Sequence, residues 1–552
     1  MADCATPDLP SRASLACLWL DRPIRRMLAA ALAVHLLLAL GFHLSPDEAH
    51  YALYASHLDW SYFDHPPLVG WLQWPAVALG AADGLLRVVP LACWLLAAWG
   101  LVRLSEALYP AGLPPAGSEG RSAGGLSDAS HAVLLLWLLS PLPHLLGLAL
   151  VPDSLLMALT CPILLLVWRL CEPGQQARLP TWLGLGLCLG LAGLAKYTAL
   201  LLGLSAVAAL AWAHGWRLLA RRGFWLATAL ALTLVLPVLA WNVRHDWISF
   251  AYQLGHAAGA SAWRPSRVLG FYALQMLGYG LLLLAGLWAA WRRPDSGSGP
   301  DTLAGPQRRR LPPLAFAACF GVPPLLLYGY LAGRGSSLPH WAVSAWVALL
   351  PVAAQGCHGL WSSGRRAGLR AMAGWQLGCC GVMVGLLLGA GLGSETGEQA
   401  RSRPGELGDQ ASRNPLADLY GWDNAAVPAR ALADAHGVNT LAVMNWSLAS
   451  RLAWYARPMA VKVVNPHQDQ FSLWFGNLAP GDSVLLVDWS IMSFAPPVGP
   501  SQFRECRWLE QQPVRHLGRQ LAHFNFLLCR HWQGSGLPMP GRGLPSLASP
   551  RD

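Results

Sequence analysis

The feature that most constrains this chain is its succession of long apolar runs. Eleven of them, at 27–44, 85–108, 131–150, 153–171, 181–195, 198–214, 224–241, 268–291, 313–332, 338–357 and 371–393, are separated by short polar loops. A helix needs about 20 mostly apolar residues to cross a bilayer. The runs therefore predict a polytopic α-helical membrane protein with about eleven transmembrane helices. The pair 181–195 and 198–214 is the shortest. The stretch 66–80 is apolar but short and proline-rich, which suits an interfacial or re-entrant helix. Only 12% of the 552 residues are charged, against roughly 25% in soluble domains.

The loops sort by charge. One set holds Arg22, Arg25, Arg26, Arg121, Arg178, Arg217, Arg221, Arg222, Arg292, Arg293, Arg308, Arg309, Arg310, Arg365, Arg366 and Arg370. The opposite set holds only Lys196, Arg244, Arg264, Arg267 and Arg334, and its first segment, 45–66, has no Lys or Arg. The positive-inside rule then puts residues 1–26 in the cytoplasm and segments 45–84 and 394–552 outside it. The same placement reads the net charge of +10 as topology rather than as a nucleic-acid face. Arg25 and Arg26 precede the first run and no A-x-A-like site follows it, the pattern of an uncleaved signal anchor.

Beyond 393 the apolar runs shorten to strand length, as in NTLAVM (439–444) and DSVLLVD (482–488). They alternate with helix-like segments at 425–436 and 447–456, predicting a small extracytoplasmic α/β domain over 394–532. The tail 533–552 is Gly/Pro/Ser-rich, with the composition of a disordered segment, and 109–130 and 294–312 read as flexible cytoplasmic loops. Cys506 and Cys529 lie in the outer domain, and an oxidising compartment would allow them to pair.

The unusual polar residues collect on the non-cytoplasmic side. Asp47 and Glu48 end the first run, Asp153 opens the fourth, and Lys196-Tyr197 lies between the fifth and sixth. Arg244 and His245 follow the seventh, and His340 precedes the tenth. Ionisable groups at membrane depth are functional candidates. Each also has a plain alternative: Asp153 suits a helix N-terminus, Lys196 can snorkel to headgroups, and His65-Pro66-Pro67 can be a rigid turn. Their shared side favours a site for anionic chemistry.

Together these segments resemble the bacterial branch of the protein O-mannosyltransferase superfamily, C-type glycosyltransferases related to the lipid A aminoarabinose transferases. The resemblance rests on D-E-x-x-Y at Asp47, Glu48 and Tyr51, Y-F-D-H-P-P at Tyr62–Pro67 and P-D-S-L-L at Pro152–Leu156. It continues through G-L-A-K-Y-T at Gly193–Thr198, W-N-x-x-H-D-W-x-S-F at Trp241–Phe250, and His340-Trp341. It implies a transmembrane glycosyltransferase domain over 27–393 with its catalytic outer loop at 45–84, in a bacterial inner membrane. It also implies a polyprenyl-phosphate sugar donor and an acceptor hydroxyl or phosphate on lipid A, another envelope glycan or a protein. Asp47 and Asp153 match the family's two outer acids. Some relatives carry lysine where this chain has His65, so a phosphate contact there would depend on histidine protonation.

Such a donor carries its own leaving group, and no Walker-type or Rossmann glycine loop is present. The expected reaction is a single displacement with inversion. Asp47 is the expected base, with Glu48 and Asp153 as catalytic partners. Lys196, Tyr197, Arg244, His245, His65 and His340 are expected at the donor phosphate, and Tyr51, Tyr62 and Asp64 at the acceptor or in shaping the site. No cofactor is required, although Asp47 and Asp153 have the oxygen ligands that Mg²⁺ or Mn²⁺ would use. The rival reading is a lipid-carrier flippase or transporter, but transport sites usually lie near the bilayer midplane.

Overall fold

In the computed structural model, which describes residues 22–110, 127–172, 178–258, 262–292, 311–389, 418–464 and 468–534, each predicted apolar run contains a helix among its described residues. Among the described residues, eight helices are long and apolar enough to cross a membrane. They are Arg22–Gly41, Asp83–Leu108, Pro152–Cys171, Ala199–Leu218, Arg222–Arg244, Pro313–Gly333, Pro339–Ser362 and Arg366–Gly389. Leu179–Ala195 is a shorter apolar helix, and Leu68–Ala78 forms an eleven-residue helix over the 66–80 stretch. The loops expected at 109–130 and 294–312 and the tail 533–552 lie almost wholly outside the described residues.

Two runs expected to be continuous are broken. Asp128–Leu138 turns by 69° into Pro141–Leu148, and Pro265–Tyr279 turns by 96° into Leu281–Arg292. The first break sits at a proline that opens a new helix, where no N–H is available to continue the old one. The second sits at Gly280, with φ +89, where an added Cβ would fall 1.9 Å from the Gln376 amide carbon. That amide explains how both breaks are tolerated in an apolar medium. Gln376 is buried on the otherwise outward-facing helix Arg366–Gly389. Its Nε2 donates to Leu139 O and Tyr279 O, both at 3.3 Å, while its Oε1 accepts from Leu282 N at 3.0 Å. One side chain thus satisfies backbone groups freed at two bends, as non-helical backbone at membrane depth requires. With each bent pair taken as one span, the count becomes ten.

The C-terminal region forms a five-stranded sheet: β1 (Thr440–Val443), β2 (Ala460–Val463), β3 (Val484–Trp489), β4 (Phe503–His516) and β5 (Arg519–Trp532), ordered β2-β1-β3-β5-β4. The first three are parallel, and β5 and β4 join β3 as an antiparallel hairpin that pairs Cys506 with Cys529 in register and in a disulfide. Helices Trp422–Ala435, Trp446–Tyr455 and Gln470–Phe475 accompany the sheet. The core of this region is not made by residues beyond 393 alone. Leu44, Ala49, Ala52, Leu53 and Leu86 from the first outer segment pack with Leu448, Leu452, Phe471 and Phe524. The outer loop and the C-terminal sheet share one apolar cluster.

Candidate active site

The site is built around helix Pro46–Ser56. Its start is strongly specified: Ser45 Oγ accepts from Glu48 N, Glu48 reaches back to Ser45 N at 3.0 Å, and Pro46 takes the first turn, where its missing N–H costs nothing. Successive residues project about 100° apart on a helix, so Asp47 and Glu48 face different surroundings. Glu48 turns inward to Arg87, whose five N–H groups are all used. Nε and Nη2 bind the two Glu48 oxygens at 2.7 and 3.0 Å, Nη1 binds Ala39 O and Phe42 O, and Nη2 also binds His43 O.

Asp47 is the opposite case. It is exposed, and its carboxylate has no hydrogen bond or ion pair among the described residues. Yet the surrounding chain desolvates it and pushes its pKa up, against His340, His50 and His65, which pull it down, and with Asp64, which adds to the rise. The carboxylate is exposed yet crowded by these ionisable groups.

Four residues of this helix, Asp47, His50, Tyr51 and Tyr54, follow i, i+3, i+4, i+7 spacing and share one face. Opposite them lies Asp64. Its Oδ1 accepts from the Tyr54 hydroxyl and lies 3.3 Å from His50 Nε2; its Oδ2 accepts from His65 Nδ1 at 2.9 Å. Burial opposes ionisation of Asp64, but His50 and His65 outweigh it and hold the carboxyl well below its ordinary range. Tyr51 Oη lies 3.5 Å from His65 Nδ1 and is in electrostatic reach of Asp47, Asp64 and Asp153. Tyr62 turns away: its ring stacks on Tyr54 at 3.5 Å and its hydroxyl donates to backbone oxygens, so it shapes the loop from behind.

The other half comes from the span ends. Asp153 opens helix Pro152–Cys171 and Lys196 follows the last residue of Leu179–Ala195. Both are buried, and Lys196 Nζ donates to each Asp153 oxygen at 2.7 Å. The Trp341 ring lies 5.3 Å from Lys196 Nζ, and His340 Nε2 lies 3.6 Å from Asp153 Oδ2. His340 acts on both Asp153 and Asp47, and so joins the two halves. Tyr197 meets Ser61 of the outer loop at 3.3 Å. Arg244 is exposed and forms no hydrogen bond or ion pair among the described residues. His245 stacks on Trp241 at 3.8 Å, and Trp241 donates to Asp59 Oδ2 at 2.8 Å.

Asp47, Tyr51, Asp64, His65, Asp153, Lys196 and His340 are therefore gathered in one cluster. Glu48 and Tyr62 are turned into the scaffold, and Arg244 and His245 are not in contact with the acidic groups. Sequence reasoning passed over His50, Tyr54 and Arg87, and used Trp341 only as part of a motif. The helical stripe from Asp47 would have found the first two; nothing local marks Arg87 as the partner of a carboxylate 39 positions away. No group of three or more His, Cys, Asp or Glu suited to a cation occurs among the described residues, and both oxygens of Asp153 are committed to Lys196. Among the described residues, Asp47 and Asp153 are thus not arranged as a ready cation site.

Residues 124–241 match the family described as dolichyl-phosphate-mannose-protein mannosyltransferase. The fold aligns with ArnT from Cupriavidus metallidurans in the apo state at a TM-score of 0.57 and 17% identity, over 95% of this chain and 100% of that one. The same protein bound to undecaprenyl phosphate aligns at 0.58 and 18% identity, over 91% and 97%. The chain has the C-type glycosyltransferase fold. A comparison with curated protein sequences finds no match. In this C-type fold the 124–241 match contains Asp153, Lys196 and Tyr197, whereas Asp47, Asp64 and His65 lie before it and His340 after it.

Proposed function

We propose that this protein is an inverting membrane glycosyltransferase. It moves a hexosyl or pentosyl group from a polyprenyl-phosphate carrier to a hydroxyl or phosphate of an envelope lipid A, glycan or protein. The single observation that carries the reading is Asp47: a carboxylate with raised pKa and no hydrogen bond or ion pair among the described residues, joined through His340 to the buried Asp153–Lys196 pair. Fold similarity to an ArnT structure bound to undecaprenyl phosphate supports a lipid-phosphate donor. The asymmetry of loop arginines supports a bacterial inner-membrane topology with this cluster and the C-terminal sheet outside the cytoplasm.

In the proposed step an acceptor oxygen attacks the anomeric carbon while the bond from that carbon to the phosphate oxygen breaks. The bonding pair leaves with the polyprenyl phosphate. When the acceptor is a hydroxyl, its proton passes to Asp47. Lys196 has three N–H donors, two of them on Asp153, and offers the third to the phosphate as charge develops there. His340 and His65 stand beside it as further donors, with Tyr197 and Arg244 at the rim; Asp153 holds Lys196, and Glu48 holds the loop rather than the acceptor. This mechanism routes no step through a metal ion.

The test is transfer from a polyprenyl-phosphate sugar by the purified protein. Asp47→Asn should lower turnover roughly 10²–10⁴-fold for a hydroxyl acceptor, with binding of the carrier lipid retained. Donor left intact by the wild type in the presence of envelope acceptors would instead favour a carrier-moving protein.

A further inference from the structure

Asp64 and His65 do not hold themselves in place. Behind them stands His50, buried, its ring enclosed by Tyr51 and Tyr54 of its own helix and by Trp446, Phe471 and Trp474 of the C-terminal region. One ring nitrogen, Nε2, faces Asp64 Oδ1 at 3.3 Å; the other, Nδ1, lies 3.3 Å from Ser450 Oγ. The Ser450 hydroxyl also reaches Trp446 O, at 2.9 Å, within its own helix. His50 thus bridges Ser450 on one side and the Asp64 carboxylate on the other, so each ring nitrogen has a polar partner inside an aromatic shell.

We infer that His50 is a positioning residue, a buried strut that ties helix Trp446–Tyr455 to Asp64 and through Asp64 sets the place of His65 beside Asp47. His65 gives its Nδ1–H to Asp64 Oδ2, so Nε2 is the nitrogen not engaged by Asp64. The chain Ser450, His50, Asp64, His65 runs from the extramembrane sheet region to the reacting groups, and it spans about 400 positions of sequence. The ionisable groups around His50 are Asp47, Tyr51 and Tyr54 on its own helix and Asp64 and His65 on the loop. Helices Trp446–Tyr455 and Gln470–Phe475 present to it Ser450, Trp446, Phe471 and Trp474. The consequence for turnover rests on the transferase reading proposed above; the strut itself does not.

The experiment compares full-length wild type, His50→Gln, Ser450→Ala and the double variant. His50→Gln removes the ring that spans Ser450 and Asp64. It should lower kcat roughly ten- to hundred-fold through misplacement of the groups beside Asp47, with undecaprenyl phosphate binding little changed. Ser450→Ala should cost less, and adding it to His50→Gln should cost nothing further, because both cut the same link. Hydrogen-exchange protection of helix Trp446–Tyr455 provides a reading independent of transfer: it should weaken in His50→Gln and weaken no further in the double variant. Wild-type kcat in His50→Gln, additive losses in the double variant, or wild-type protection of that helix in His50→Gln would each overturn the strut. Absence of sugar transfer by the wild type would instead sink the proposed function, and the exchange measurement would still judge His50.

Discussion

Two buried ion pairs lie within the outer part of this molecule, and they are alike in length but not in what remains after they form. Glu48–Arg87 and Asp153–Lys196 both have a 2.7 Å contact between buried side chains. In the first, every guanidinium proton is consumed by a carboxylate or a backbone oxygen. It closes the end of helix Arg22–Gly41 onto helix Pro46–Ser56 and leaves nothing to offer a ligand. In the second, the ammonium spends two of its three protons on one carboxylate and keeps an aromatic face beside it. A saturated pair is a clamp, and an unsaturated one can still respond to a new charge. Burial alone does not separate the two; the donor count does.

The contrast can be broken first at Arg87. Arg87→Met strands a buried carboxylate and should cost about 3–5 kcal/mol of stability, whereas Glu48→Leu with Arg87→Met should recover most of it. Thermal unfolding in detergent reads both. If the single variant unfolds with the wild type, the clamp is not one. At the other pair, Lys196→Met should lower turnover roughly 10²–10³-fold, the usual loss of a donor placed at developing charge. Its unfolding midpoint should move less than that of Arg87→Met, because His340 remains 3.6 Å from Asp153. Equal loss of stability in the two variants would erase the distinction.

A smaller effect is expected from the stitch between the bent helices. Gln376→Leu leaves three buried backbone groups without their side-chain partner, at about 1–3 kcal/mol for each group not satisfied anew. Unfolding midpoints of this variant against Gln376→Glu would check it. The smallest shift concerns pH. Because Asp47 has a raised pKa, it loses its proton only above the ordinary carboxylate value of about 4. As pH falls through that raised value the base is protonated and turnover drops. The acid limb should therefore sit above the ordinary carboxylate range and vanish in Asp47→Asn.

Much of this was legible in one dimension, because an apolar run long enough for a bilayer has few other fates. The strands Thr440–Val443 and Val484–Trp489 and the helices beside them stood out by the same periodicity. The bends did not: Ser140-Pro141 and Gly280 are visible as letters, but Gln376, which makes both bends affordable, is a lone polar residue about 100 positions beyond the nearer break. The long hairpin of β4 and β5 was also passed over, since its first strand alternates charged and apolar residues while its second is buried nearly throughout.

Local sequence determined where helices start, as at Ser45-Pro46, which end of the bundle carries acid, and which residue types were available there. Only the tertiary structure decided their use. Asp47 and Glu48 are neighbours in sequence with nearly the same intrinsic chemistry. What separates them is a guanidinium delivered to one from the start of another helix, and an exposed position among histidines and Asp64 left to the other. The behaviour of a carboxylate follows from the donors and dielectric that surround it, and those arrive from parts of the chain that no local pattern records.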